Sequence, residues 1–170
     1  ARKWGAEVPF IRPMQLAQDD THRNLVVRHA LEEMPGFDYI VLLQPTSPLR
    51  TADDITISIR MVLEKDADSC VSVVKHHASP YWMFVKNDKG AFEPFMDNWV
   101  FPRRQDLPDV YALNGAIFVS KTHSFFEDHY PDPFLTPNSL MYEMPNERSI
   151  DIDGYFDLKC AETFIQSKGN

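Results

Sequence analysis

Tyr39-Ile-Val-Leu-Leu-Gln-Pro-Thr-Ser-Pro-Leu-Arg50 is the stretch whose reading decides the fold. Ile40 to Leu43 form an unbroken apolar run, the pattern of a strand buried on both faces of a parallel sheet. Gln44 then offers an amide at the strand's carboxyl end. Pro45 and Pro48 fix the backbone around Thr46 and Ser47 and hold both in an extended loop with their hydroxyls available. In open α/β sheets ligands settle at that end of the strands, so the loop reads as a site. A tight strand-to-helix connection, with the hydroxyls satisfying backbone groups, accounts for the same residues without a ligand.

Outward from this loop the chain alternates strands and helices. Residues 7–11 are expected to form a short strand. Residues 20–33 are expected to form a helix with Leu25, Val26, His29, Ala30 and Glu33 at helical spacing, stopped by Pro35-Gly36. Thr51 can cap a second helix whose first turn carries Asp53 and Asp54, where negative charge suits the dipole, and whose core face is Ile55, Ile59, Val62 and Leu63. Residues 69–75 read as a Val-rich strand. Residues 111–119 read as another, interrupted at Asn114-Gly115, where a glycine marks a bulge or a close approach to the backbone. Residues 154–167 read as a helix with Leu158, Ala161 and Ile165 on one face.

Ser149-Ile-Asp-Ile-Asp153 supports the site. In a strand, alternate side chains share a face, so Asp151 and Asp153 would point one way and Ile150 and Ile152 into the core. Two like charges on one face repel unless a cation lies beside them, and hard oxygen ligands at this spacing suit Mg²⁺. A solvated strand end bearing two surface aspartates is the plainer alternative.

Between 78 and 110 the pattern changes to short strand-like pieces, 81–85 and 91–95, joined by Asn87-Asp-Lys-Gly90, a good hairpin turn. Left solvated, such an aromatic excursion would expose a large apolar area around Trp82 and Trp99, so a partner surface is expected to cover it.

Bulk properties bound the rest. A chain of 170 residues with 44% hydrophobic residues is a single-domain length able to fill one core. A net charge of −8 excludes a nucleic-acid-binding face, which needs clustered Lys and Arg. No apolar run approaches membrane-spanning length, so a soluble protein is expected. The two cysteines, Cys70 and Cys160, are distant and show no CxxC spacing, which fits reduced thiols in the cytoplasm. The six histidines, His76 and His77 among them, lack zinc-ligand spacing.

Taken together, Leu43-Gln-Pro-Thr-Ser-Pro-Leu-Arg50, Leu113-Asn-Gly-Ala-Ile-Phe118 and Ser149-Ile-Asp-Ile-Asp153 followed by Asp157 resemble the acylneuraminate cytidylyltransferases, or CMP-sialic acid synthetases. Gly5-Ala-Glu-Val-Pro-Phe-Ile-Arg-Pro13, Leu16-Ala-Gln-Asp19 and Pro102-Arg-Arg-Gln-Asp-Leu-Pro108 are similar as well, in the family's order and over nearly the whole chain. The resemblance implies an α/β fold of the three-layer, Rossmann-like nucleotide-diphospho-sugar transferase type, with a mixed, mainly parallel sheet and a protruding hairpin, 78–110, that dimerises. It implies transfer of CMP from CTP to a nine-carbon 2-keto sugar acid with release of pyrophosphate. Asp151 and Asp153 would be the catalytic, Mg²⁺-holding pair. Gln44, Thr46, Ser47, Asn114 and Arg104 would contact the sugar, Arg104 in reach of a neighbouring subunit's site. Arg12 and Asp19 would help place the nucleotide.

Some features depart from the family. Its glycine-containing, triphosphate-cradling opening loop has no counterpart here, and Arg2-Lys3-Trp4-Gly5 reads as a helix end, so the chain is expected to start after the family's first strand-helix units. Pro80-Tyr-Trp82 stands where sialic acid-specific members carry a lysine, and Ala112-Leu113 where they carry an arginine. Two cations fewer and more aromatics suit a less polar, di-N-acetylated sugar of the legionaminic or pseudaminic type. A non-catalytic binding or dimerisation module and the related cytidylyltransferase for the eight-carbon acid of lipopolysaccharide are the alternatives.

Overall fold

The computed structural model describes residues 1–96, 103–127 and 130–167. In chain order the regular elements are α1 (Arg23–Glu33), β1 (Tyr39–Leu42), α2 (Ala52–Lys65), β2 (Ser69–His76), β3 (Phe84–Lys86), β4 (Phe92–Pro94), β5 (Val110–Lys121), β6 (Ser139–Glu143) and α3 (Tyr155–Ser167). Four strands form one sheet in the order β1-β5-β2-β6, and β3 and β4 form a separate ribbon. The class is α/β with a mixed sheet, as expected for a Rossmann-like nucleotide-sugar transferase. No described helix is long and apolar enough to cross a membrane.

The chain divides into two compact units, one of Ala1–Leu43, Ile55–Val71 and Ile117–Met141, the other of Gln44–Asp54, Ser72–Ala116 and Tyr142–Asn170. In the first, β1 pairs antiparallel with β5, Tyr39 opposite Lys121 and Leu42 opposite Phe118. Its core is aromatic: the fully buried Phe134 ring lies 5.3 Å from Phe118 and 5.1 Å from Phe125 between centroids. Arg23 lays its guanidinium 4.6 Å above the Phe118 ring centre and ion-pairs with Asp132. Cys70 is buried beside this core, and burial pushes its thiol up to about 11, which keeps it protonated and unreactive.

Several expectations shift in phase or extent. α1 buries Val27 and Leu31 and leaves Leu25 exposed, because its core face follows the four-residue step Arg23, Val27, Leu31. α2 buries Asp54, Ser58 and Val62, with Leu63 exposed. α3 buries Ala161, while Leu158 and Ile165 stay 38% and 55% exposed, a narrower stripe than the periodicity predicts. Residues 7–11 form no strand: Pro9 removes a ladder donor and Ile11 stays exposed. Strand β6, with alternating burial at Leu140 to Glu143, was missed although its period of two is visible in Leu-Met-Tyr-Glu.

In the second unit the expected hairpin forms, with Phe84 opposite Pro94 and Lys86 opposite Phe92. Asn87 builds the turn, its Oδ1 accepting from the backbone of Lys89 at 3.1 Å and Ala91 at 3.0 Å, and Gly90 takes the left-handed φ of 79° that closes it. Phe84 and Phe92 meet edge to face at 4.9 Å, yet both remain exposed. Trp99 lies outside the described residues.

Candidate active site

Gly115, inside β5, has φ 71°, a conformation that favours glycine. A Cβ added there would lie 2.5 Å from Gln44 Oε1, 2.9 Å from Asp151 Oδ2 and 3.3 Å from Ser47 Oγ. Three polar oxygens from two segments, the Gln44 to Arg50 loop and the chain around Asp151, therefore close over one stretch of bare backbone, the close approach expected of an interrupted strand. Gln44, Ser47 and Asp151 are brought together as the sequence predicted.

The Gln44 to Arg50 loop is held from within. Arg50 Nη1 donates to the carbonyls of Gln44 (2.6 Å), Ser47 (2.8 Å) and Ala116 (3.2 Å), so the guanidinium clamps the loop shut against β5. Burial lowers its pKa from the ordinary value. Arg50 is thus a carbonyl clamp. Ser47 is fully buried, its hydroxyl donating to the Asn114 carbonyl at 3.3 Å and lying 3.5 Å from Asp151 Oδ1. Thr46 is exposed, and its carbonyl accepts from the Ile152 amide at 2.9 Å.

That last bond positions the acidic segment, which corrects one expectation: 149–153 is not a strand but irregular chain between the turn at Asn146–Arg148 and α3, with Ser149 at ψ 19°, outside the strand region. Asp151 is half-buried and Asp153 exposed, flanking Ile152. Asp157 Oδ2 accepts from the amides of Asp153 (3.2 Å) and Gly154 (2.9 Å), capping the start of α3.

Asn114 is buried and its side chain is engaged internally. Oδ1 accepts from Ser72 Oγ (2.6 Å) and the Ala116 amide (3.2 Å), and Nδ2 donates to Ser149 Oγ (2.9 Å) and approaches Met144 Sδ at 3.4 Å. In this geometry Asn114 fixes Gly115 and the acidic segment rather than presenting an amide to a sugar.

A buried network behind the loop was not foreseen. Asp54 receives Arg148 in a two-pronged pair, Nη2 to Oδ1 at 2.6 Å and Nε to Oδ2 at 3.0 Å, with Tyr142 OH donating to Oδ1 at 2.8 Å. Thr51 donates from its amide and its hydroxyl to Oδ2, both at 2.8 Å, and caps α2 by accepting from the Asp54 amide. Burial alone would raise the Asp54 carboxyl, but bonds from Arg148, then Thr51 and Tyr142, outweigh it and hold the group below the usual range. Burial, then the bond to Asp54, pushes the Tyr142 phenol up to about 12. Thr51-Ala-Asp-Asp54 is a readable capping pattern, but nothing local announces partners 88 and 94 positions away.

Arg104 is exposed and lines a separate pocket with Lys75, His77, Trp82 and Asp109, where Lys75 pairs with Asp109 at 2.7 Å. Arg12 and Asp19 belong to the first unit and are exposed. For a divalent cation the donors are Asp151 and Asp153; no group of three His, Cys, Asp or Glu gathers among the described residues. Two carboxylates fit Mg²⁺, which completes its shell with water and phosphate, and do not fit an all-protein cage.

The α/β fold with its mixed sheet is consistent with the Rossmann-like nucleotide-sugar transferase type. No protein-family model matches the chain. It is 30% identical to the CMP-N,N'-diacetyllegionaminic acid synthase of Legionella pneumophila over 179 residues, 98% of this chain and 72% of that protein. It is 30% identical to the N-acylneuraminate cytidylyltransferase of Escherichia coli over 99% of this chain and 39% of that protein. It is 24% identical to the pseudaminic acid cytidylyltransferase of Campylobacter jejuni over 95% of this chain and 70% of that protein. The chain belongs to the acylneuraminate cytidylyltransferase family, and spans 39% to 72% of the length of these relatives.

Proposed function

We propose that this chain forms the sugar-acid side of a cytidylyltransferase that joins CMP, from CTP, to the anomeric hydroxyl of a nine-carbon 2-keto sugar acid of the sialic, legionaminic or pseudaminic type. The observation that carries the reading is the convergence of Gln44 Oε1, Ser47 Oγ and Asp151 Oδ2 over Gly115. Such a cradle suits a polyhydroxylated ligand approaching bare backbone. The sugar oxygen would bond to the α-phosphorus, the bond to the β-phosphate oxygen would break, and pyrophosphate would leave while the hydroxyl proton passes to a nearby acceptor.

This chain's residues would act mainly by placement. Gln44 and Ser47, with Thr46 at the loop's exposed crest, would orient the sugar. Asp151 stands where it can accept the hydroxyl's hydrogen bond. Asp151 and Asp153 would hold Mg²⁺, whose contribution when bound is to neutralise charge on the phosphoryl oxygens. Arg104 offers a guanidinium fork suited to the sugar's carboxylate, and Arg12 and Asp19 would serve the nucleotide. The exposed β3–β4 hairpin with Trp82, Phe84, Phe92 and Phe95 would be covered by a second copy of the chain.

Aromatic Pro80-Tyr-Trp82 and apolar Ala112-Leu113 support a di-N-acetylated sugar over N-acetylneuraminate. The experiment is a pyrophosphate-release assay with CTP, Mg²⁺ and a panel of nonulosonic acids. It is run on this chain and on the chain joined to the part of the Legionella relative outside the match. The chain alone offers no glycine-rich phosphate cradle and is expected to be nearly silent, with the joined protein turning over the legionaminic substrate fastest. Silence from both would favour a non-catalytic module.

A further inference from the structure

Segment 149–154 carries the site's carboxylates without helix or strand to hold it. Its short-range bonds hold only its ends: Ser149 Oγ to the Pro145 carbonyl (2.8 Å) and the Ser149 amide to Asn146 (3.1 Å) shape the turn before it, and the Asp153 and Gly154 amides donate to Asp157 after it, with Asp151 left between. Yet Asp151 Oδ2 and Gln44 Oε1, both acceptors, crowd one point over Gly115. Acceptors do not gather unaided, so restraint has to come from outside the segment.

Four long-range ties supply it: Ile152 to Thr46, Asp151 to Ser47, Ser149 to Asn114, and Arg148 to Asp54. Only the last is charge-assisted and two-pronged, the arrangement that fixes orientation as well as distance. Its ends are well placed. Arg148 comes three residues before Asp151, and Asp54 sits in the first turn of the helix that follows the Gln44 to Arg50 loop. We propose that the part-buried Asp54–Arg148 pair, closed in by Tyr142 and Thr51 around a fully buried Asp54, is a positioning device that ties the two halves of the site so that Asp151 meets Gln44 and Ser47. Its consequence for activity rests on the function proposed above; its geometry does not. A buried ion pair is weak support for stability alone, since apolar replacements often do as well, and register is the better attested use of one.

The test is Arg148→Lys, which keeps the charge and loses the fork, in the 170-residue chain. Two readouts serve: amide exchange followed by mass spectrometry, and titration with Mn²⁺ alone followed by the loss of its free resonance signal. Exchange at Ile152 is expected to speed up at least tenfold while the amides of Ala116 to Ser120 keep their rates. Mn²⁺ affinity is expected to fall about tenfold, as when the outer partners of metal ligands are removed. Uniform acceleration would make the pair a plain stability element and overturn the proposal, as would unchanged exchange at Ile152. Asp151→Ala is the control: if it leaves Mn²⁺ binding unmoved, the metal role fails, while the exchange data still decide the positioning. Asp54→Asn reads the same amides should Arg148→Lys not fold.

Discussion

The Gln44 to Arg50 loop and the acidic segment 149–154 bring oxygens to the same glycine but are made in different ways. The loop is shaped mainly from within: two prolines stiffen it, and Arg50, six positions from Gln44, grips the carbonyls of Gln44 and Ser47 as well as that of Ala116. The acidic segment depends on partners 35, 94 and 104 positions away, at Asn114, Asp54 and Ser47. One half of the site is written in local chemistry and exists wherever the loop can form. The other half exists only once the surrounding chain has folded.

Breaking the chemistry should give the largest effect. In a version that turns over, Asp153→Asn is expected to lower kcat a hundredfold or more with the far-ultraviolet dichroism unchanged, because the lost interaction acts on transition-state charge. Near wild-type turnover in Mg²⁺ would sink the metal assignment. Gly115→Ala strikes both halves at once. It puts a methyl 2.5 Å from Gln44 Oε1 at φ 71°, and the left-handed backbone alone costs about 1–2 kcal/mol. A lowered urea midpoint is expected, with any sugar binding lost.

Arg50→Ala separates the halves. Losing a charged donor shared by three carbonyls is expected to cost about 1.5 kcal/mol, and to speed amide exchange in 44–50 and at Ile152, which is bonded to Thr46, while leaving the Ser149 and Asp153 amides as they were. Equal loosening of all of these would show that the loop is not shaped mainly from within.

Acid gives a smaller contrast. The Asp54 carboxyl is held below its ordinary value, so its contribution is complete above the unfolded pKa and is lost as pH falls through the folded one. Wild type should therefore lose stability below about pH 4, the ordinary aspartate range. Asp54→Asn, less stable at neutral pH, should flatten that slope in denaturation midpoints. A parallel slope would remove Asp54 from the acid response. Smallest is Phe92→Ser on the hairpin: folding stability should move by less than about 0.5 kcal/mol, as for an exposed side chain, while light scattering shifts from dimer to monomer. A wild-type monomer at micromolar concentration would end the dimer proposal.

The same contrast explains what could be read in advance. The capping pattern at Thr51 and the Asn87–Gly90 turn rest on interactions within a few residues, and both stand where expected. The strand at 149–153 failed because alternation of Asp and Ile is necessary for an edge strand but says nothing of a free neighbour to pair with. Asn114 was a sugar contact only through the family resemblance; three of its four internal partners, Ser72, Met144 and Ser149, lie 42, 30 and 35 positions away, beyond any local pattern. Arg148 and Tyr142 gave no signal, since a buried ion pair is a property of two positions together.

The left-handed turn at Gly115 also divides β5 in its tolerance of change. Before it, Val110 to Leu113 alternate between half-buried and exposed; after it, Ala116 to Ser120 are buried without a break. A substitution at Tyr111 or Leu113 meets solvent on one side, whereas one at Ile117 or Phe118 must refill a packed interior. Within a single strand, then, one end is free to drift through generations, and the other is frozen. The glycine is the boundary across which such experiments by evolution carry no penalty for the fold.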